Sequence, residues 1–318
     1  MAEETTKNRQ HQDLYKKHRP ARFKDMVGQP QVVSQMEQWL ADGRVPNAVL
    51  LTGPSGCGKT TAARILVRRL GCSKFDCQEI NAAESRGIDM IRDLASRMHL
   101  APLGGSGARA WIIDECQKLT GDAQSSALKI LEDGPEHAHF FLCTTDPQKL
   151  LKTIVTRCTE LKFRALTEAE LQTVLCRVIE EESIAVELSV IAKIAECAEG
   201  SARKAVVLLQ QVMGLSTKQA QLAAVEKADS RRQAIELARA LMDPKTQWAK
   251  VADVLRNLDD EPESLRRMIL GYYQSVLLGG GAKANRAAEL ISKFQFNIFD
   301  SGKPGLTLMC YESLRGGK

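Results

Sequence analysis

The run Gly53-Pro54-Ser55-Gly56-Cys57-Gly58-Lys59-Thr60 sets three glycines, a lysine and a hydroxyl at the spacing of a phosphate-cradling loop. Glycines let backbone N–H groups close around phosphate oxygens, and the start of a following helix adds partial positive charge. Lys59 has the reach to meet β- and γ-phosphates, and the hydroxyl of Thr60, followed by Thr61, is placed to ligate Mg²⁺. The chemistry implied is binding of a nucleoside triphosphate. Cys57 has no base beside it, which fits a small filler better than a nucleophile.

Hydrolysis needs a second set of groups to handle water. Asp114-Glu115 closes the apolar stretch Ala110–Ile113; an acid in that place is the usual second partner of Mg²⁺, and the next carboxylate can orient or deprotonate an attacking water. Thr144-Thr145-Asp146 ends "HFFLCTTD" and offers a hydroxyl to the γ-phosphate or the water. Arg157, between Thr156 and Cys158 and just ahead of "TELKF", has no evident partner in its own strand. Its anion is either a surface carboxylate, worth little in stability, or a group on another molecule.

The elements that must position these residues follow from periodicity. Ala48–Thr52 reads as a short buried strand, and the residues from Thr61 onward have helical spacing at Ala62, Ile65, Leu66 and Leu70. "AAESRGIDMIRDLASRMHL" reads as a loop and then an amphipathic helix with Ile88, Ile91, Leu94 and Met98 on one face. Thr167 can cap the next helix, with Glu170 completing a capping box. Short helices follow up to about residue 222. Beyond them "SRRQAIELARALM", "TQWAKVADVLRNL", "ESLRRMILGYYQSVLL" and "ANRAAELISKF" are helical again, and Gly279-Gly280-Gly281 separates the last two.

A chain of 318 residues is long for one core, so two or three domains are expected. A hydrophobic content of 44% and a charged content of 26% are those of a globular protein. No apolar run approaches the roughly 18 residues of a membrane helix, and the polar N-terminus lacks the apolar segment of a secretory signal. A cytoplasmic location is expected. Nine scattered cysteines fit reduced thiols there. The net charge of +5 says little, although Lys7, Arg9, Lys16, Lys17, Arg19, Arg22 and Lys24 crowd the first 24 residues, as a phosphate contact or a solvated face.

"WIIDECQKLTGDAQSSALKILEDGPEHAHFFLCTTDPQKLLKTIVTRCTELKFRAL" resembles the AAA+ ATPase subunits of sliding-clamp loaders, above all the gamma/tau subunit of bacterial DNA polymerase III. "SRGIDMIRDL" and "GDAQ" are more similar to replication factor C small subunits and phage loader subunits. The likeness runs from about Leu14 to about Gly214 with five motifs in order. It implies an α/β AAA+ P-loop domain (a parallel sheet flanked by helices) over 1–166. A small helical lid over 167–222 and a helical collar, an oligomerisation domain, over 223–318 would follow.

Carried over by position, the likeness places Tyr15, Arg19, Pro20 and Val27 near the adenine of ATP. Thr145 falls at the sensor 1 position, and Arg203 in "EGSARKAVVLLQQ" at the sensor 2 position, facing the ATP of its own subunit. Thr156-Arg157-Cys158 takes the place of the family's Ser-Arg-Cys signature, whose arginine reaches the γ-phosphate of a neighbouring subunit. The implied cofactors are ATP and Mg²⁺. The implied partners are a sliding clamp, primer-template DNA and other loader subunits in a five-subunit homo- or hetero-oligomer.

The implied activity is ATP hydrolysis stimulated by clamp and DNA. ATP binding would open and load the clamp, and hydrolysis would release it. Arg86 and Arg92 can meet template phosphate. One departure stands out: the bacterial subunits carry a four-cysteine zinc module after the P-loop helix. This chain has only Cys72 and Cys77 there, too few for tetrahedral Zn²⁺, and neither His11 nor His99 has suitable spacing. Other readings of the same motifs are a non-hydrolysing scaffold subunit, a helicase loader or branch-migration motor, and a P-loop kinase complete in one chain.

Overall fold

The computed structural model describes residues 13–104, 107–256 and 261–315. Lys7, Arg9 and His11 lie outside them, as does the end of the predicted helix "TQWAKVADVLRNL" beyond Arg256. The chain divides into two compact units between Gly214 and Leu215.

The first unit carries, in order, α1 (Leu14–Lys17), α2 (Pro30–Ala41), β1 (Ala48–Thr52), α3 (Lys59–Arg69), β2 (Cys77–Asn81), α4 (Ile88–Met98), β3 (Arg109–Asp114) and α5 (Gly121–Asp133). It continues with β4 (Ala138–Thr144), α6 (Lys152–Arg157), β5 (Thr159–Lys162), α7 (Glu168–Glu182), α8 (Leu188–Cys197) and α9 (Ala202–Val212). The five strands form one sheet in the order β2-β3-β4-β1-β5, and every neighbouring pair is parallel. Strands covered on both faces should be apolar throughout. β1 and β4 are buried at every position and β3 at all but Asp114. The edge strands β2 and β5 keep polar, half-exposed residues such as Gln78, Glu79 and Glu160, which blunts the sheet edges.

Trp111 and Phe140 stack on one face of the sheet with centroids 5.2 Å apart, among Ile91, Leu94 and Met98 of α4 and Ala123, Ala127 and Ile130 of α5. This burial holds the two helices against the strands whose ends carry Asp114 and Thr144. The segment between α3 and β2 is organised by buried Asp76, which accepts from Ser73 Oγ at 2.6 Å, Gly104 N at 2.7 Å, Leu103 N at 2.8 Å and Arg109 at 3.3 Å. These bonds, the Ser73 hydroxyl first, pull its carboxyl down to about 2. The helices α7 to α9 pack on one another through Leu171, Leu175, Val190, Ile194, Leu209 and Val212. The capping box is present: the Thr167 hydroxyl accepts from Glu170 N, and the Glu170 carboxylate accepts from Thr167 N.

The second unit carries α10 (Lys218–Met242), α11 (Trp248–Arg256), α12 (Pro262–Gly279), α13 (Ala284–Phe294) and α14 (Gly302–Arg315). The boundary expected at residue 222 falls inside α10, a single helix of 25 residues. Tyr273 and Phe294 meet edge to face, 5.8 Å between centroids, in a core with Leu237, Leu241, Ile269 and Leu290. Buried Glu263 takes both arms of the Arg266 fork at 2.6 and 2.8 Å, and also Ile298 N at 3.0 Å. Arg266 in turn donates to the Phe294 carbonyl, so one ion pair ties α12 to the end of α13. No helix among the described residues is long and apolar enough to cross a membrane.

Candidate nucleotide site

In parallel sheets with covering helices, ligands bind beyond the carboxyl ends of the strands. The P-loop leaves the end of β1 and runs into α3, whose N-cap Gly58 has φ +106. Two of its glycines are obligatory. A Cβ on Gly56 (φ +76) would stand 2.0 Å from Ser201 Oγ, and one on Gly53 (φ +142) 2.3 Å from the Phe163 carbonyl oxygen. Both are left-handed conformations that side chains resist. The Gly56 carbonyl accepts from Ala202 N at 3.1 Å, so the loop is bonded directly to the start of α9. Buried Gln29 donates to the carbonyls of Arg164 at 2.7 Å and Cys57 at 3.4 Å. The loop is thereby fixed from two sides.

The Lys59 ammonium donates to the carbonyls of Gly53 and Pro54, both at 2.7 Å. Thr60 Oγ1 donates to Asp114 Oδ2 at 3.0 Å. A hydroxyl and a carboxylate meeting across the ends of α3 and β3 are the oxygen donors that Mg²⁺ takes in P-loop proteins, so the residues fit the ion. Glu115 follows in the left-handed region, φ 53, and Asp114 Oδ1 accepts from its N–H at 3.0 Å. Burial raises the Cys57 thiol above its usual value, and its Sγ donates to the Pro54 carbonyl at 3.0 Å; it stays a neutral filler.

One cleft gathers most of the predicted residues. Tyr15, Arg19, Pro20, Val27, Ser55, Gly56, Cys57, Gly58, Lys59, Thr60, Thr61, Asp114, Glu115 and Arg203 all line it. Its empty space, open mouth included, is about 990 Å³, at the upper end of small-molecule sites. Gly53 and Pro54 stand just behind the wall as acceptors for Lys59. The Arg203 guanidinium lies over the Tyr15 ring, 5.5 Å from its centroid.

Besides Gly53 and Pro54, four predicted residues lie off the cleft walls. Thr145 is linked to cleft-lining Glu115 through Gln117, which donates to Thr145 Oγ1 at 2.9 Å and to Glu115 Oε2 at 2.5 Å. Arg157, at the end of α6, is held by Glu132: its Nε donates to Glu132 Oε1 at 2.5 Å, a terminal nitrogen meets the same oxygen, and another donates to the Thr153 carbonyl at 3.0 Å. Arg86 is exposed in the loop before α4, and Arg92 pairs with Asp89 at 3.1 Å.

The cleft also holds residues that sequence reasoning missed. His18 lines it with both ring nitrogens against carboxylates: Nδ1 stands 2.8 Å from Glu181 Oε2, and Nε2 meets Glu182. Lys17 pairs with the same Glu182 at 2.5 Å. Arg177 lines it too and donates to the Asp25 carbonyl at 2.8 Å. The segment around the predicted base site is therefore tied to α7. Leu171, Val174 and Arg177 share a face at helical spacing, which was a readable signal for α7; His18 offered none.

Comparison with known proteins agrees with this geometry. A family model described as "DNA polymerase III, delta subunit" matches residues 76–167, and one described as "Rad17 P-loop domain" matches residues 6–93. DNA polymerase III subunit tau of Bacillus subtilis is 30% identical over 298 residues, covering 84% of this chain and 52% of that protein. Subunit tau of Escherichia coli is 34% identical over 236 residues, covering 68% and 36% respectively. The chain thus spans about half, or less, of the length of these relatives. Among solved structures, Thermotoga maritima RuvB, a Holliday junction branch migration motor, superposes with a TM-score of 0.56 at 21% identity, over 68% of this chain and 78% of that one; the likeness is one of fold. The chain is a P-loop protein of the AAA+ fold. Within that class its sequence is similar to the DNA polymerase III tau subunits it matches.

Proposed function

We propose that the chain is an ATPase subunit of a DNA sliding-clamp loader, acting in the cytoplasm, with a hydrolytic site completed by Arg157 of a neighbouring subunit. The observation that carries this reading is a division among the predicted residues. The P-loop, the Thr60–Asp114 pair, Glu115 and Arg203 share one cleft, whereas Arg157 lies outside it and is bound to Glu132.

Tyr15, Arg19, Pro20 and Val27 receive the adenine, with Arg203 near the phosphates of the same nucleotide. Lys59 exchanges its carbonyl partners for the β- and γ-phosphates. Thr60 and Asp114 hold Mg²⁺, which neutralises charge on those phosphates. Glu115 orients and deprotonates water, and Thr145 stands by as a polar sensor. An arginine supplied in trans contributes on the order of 10³–10⁵ in rate, so hydrolysis depends on assembly. ATP can shift the assembly between states only through contacts that differ between them, and Lys59, Glu115, Arg157 and Arg203 make such contacts. Arg86 and Arg92 meet template phosphate. The helices α7 to α9 form the lid and the second unit the collar, in a five-subunit ring.

The test is ATP turnover by the native complex purified with its partner subunits, with and without sliding clamp and primer-template DNA. Stimulation by both, with clamp left topologically linked to DNA, is the expected result. Full-rate hydrolysis by the isolated chain, independent of its concentration, would point to a self-sufficient P-loop enzyme instead.

A further inference from the structure

The turn after β3 carries a side chain that the assigned roles leave out. Gln117 sits in the short 3-10 turn Cys116–Lys118 and is 8% exposed. Its amide is fully engaged. Nε2 donates to Glu115 Oε2 at 2.5 Å and to Thr145 Oγ1 at 2.9 Å, and Oε1 accepts from Thr144 Oγ1 at 2.8 Å. Thr144 Oγ1 also accepts from Asp146 N at 3.0 Å. One buried amide therefore connects the carboxylate after β3 to the two hydroxyls that end β4.

We propose that Gln117 is a positioning residue for hydrolysis, holding the Glu115 carboxylate against the end of β4 and coupling its orientation to Thr145. The inference rests on the reading of Glu115 as the group that handles water. Glu115 stands at the cleft on a left-handed backbone, just past the end of β3. Gln117 occupies one carboxylate oxygen, Oε2, and among the described residues Oε1 has no protein partner. That arrangement fixes the direction of the carboxylate while leaving one oxygen for a water. Gln117 donates both amide hydrogens, so it also fixes which face of Thr145 is turned toward Glu115. A movement of Thr145 toward or away from a γ-phosphate would then be felt at the carboxylate through one side chain.

Gln117→Leu removes the bonds at similar volume, and Gln117→Glu keeps the size but replaces the donor by a carboxylate that faces Glu115. The complex, assembled with its partner subunits, is compared with wild type and with Glu115→Gln for stimulated ATP turnover and for binding of a non-hydrolysable ATP analogue. Misplacing a catalytic group by about 1 Å costs on the order of 100-fold, so a fall of about 10- to 100-fold in kcat is expected, with KM and analogue affinity within about twofold. The double variant Gln117→Leu, Thr145→Val should be no slower than the slower single one, because both cut the same link. Should Gln117→Leu fail to assemble, Gln117→Glu carries the test. Wild-type kcat, or a raised KM with kcat intact, overturns the positioning role while Glu115→Gln stays inactive. Turnover at the wild-type rate in Glu115→Gln overturns the reading of Glu115 itself and this inference with it.

Discussion

The Arg203 guanidinium rests over the ring of Tyr15, 5.5 Å from its centroid, joining the start of α9 to α1 on one wall of the cleft. A cation–π contact of this kind is worth about 0.5–1 kcal/mol when partly exposed. Tyr15→Leu should therefore weaken ATP binding by roughly three- to fivefold, through the freed arginine and the lost ring. Calorimetric titration of the isolated chain measures this, and Arg203→Ala should then add little to Tyr15→Leu.

Thr60 and Asp114 meet at 3.0 Å, so removing the carboxylate's charge tests what the pair is for. Asp114→Asn keeps size and hydrogen bonding. It should lower ATP affinity by about tenfold or more in Mg²⁺, since a hard cation selects anionic oxygen. With the metal removed by a chelator, variant and wild type should bind nucleotide alike. Equal affinities in both conditions would reassign Asp114 to a purely structural place.

The second unit offers a prediction about pH. The Arg266 fork, chiefly, holds the Glu263 carboxyl down at about 2, from an ordinary 4.5. A depressed carboxylate stabilises the fold at pH above its unfolded value and loses that contribution as pH falls through the folded one. Protection of α12 and α13 should thus be full above about pH 4.5 and fall away toward pH 2. Breaking a buried pair on one side costs about 3 kcal/mol. Glu263→Gln should accordingly raise hydrogen exchange in these helices roughly 100-fold at neutral pH, read by mass spectrometry on the full chain.

Much of the α/β core was legible because its signals are local. Uninterrupted apolar runs mark β1, β3 and β4, the glycines mark the P-loop, and Thr167 with Glu170 marks the start of α7. The last helix, α14, was hidden by Gly302, Pro304 and Gly305 in its opening turns, residues that usually end a helix but are tolerated at its first positions. Position 305 has no room for more: a Cβ there would lie 2.1 Å from Ser301 Oγ. His18 and Gln117 were illegible for another reason. Their roles are set by partners distant in the sequence, Glu181 and Glu182 for one, Thr144 and Thr145 for the other, and no local pattern announces such a meeting. Arg157 was legible as an arginine without a local role, whereas its partner Glu132 was not.

That last pair frames the central question. An exposed ion pair contributes about 0–1 kcal/mol, so Glu132 can release Arg157 to a stronger anion at small cost. The most direct test is Arg157→Ala, with stimulated ATP turnover of the assembled complex measured beside ATP affinity of the isolated chain. Turnover should fall by about 1,000-fold or more, with affinity changed by less than about twofold. Unaltered turnover in the complex, or lost affinity in the isolated chain, would contradict a site completed by a neighbour.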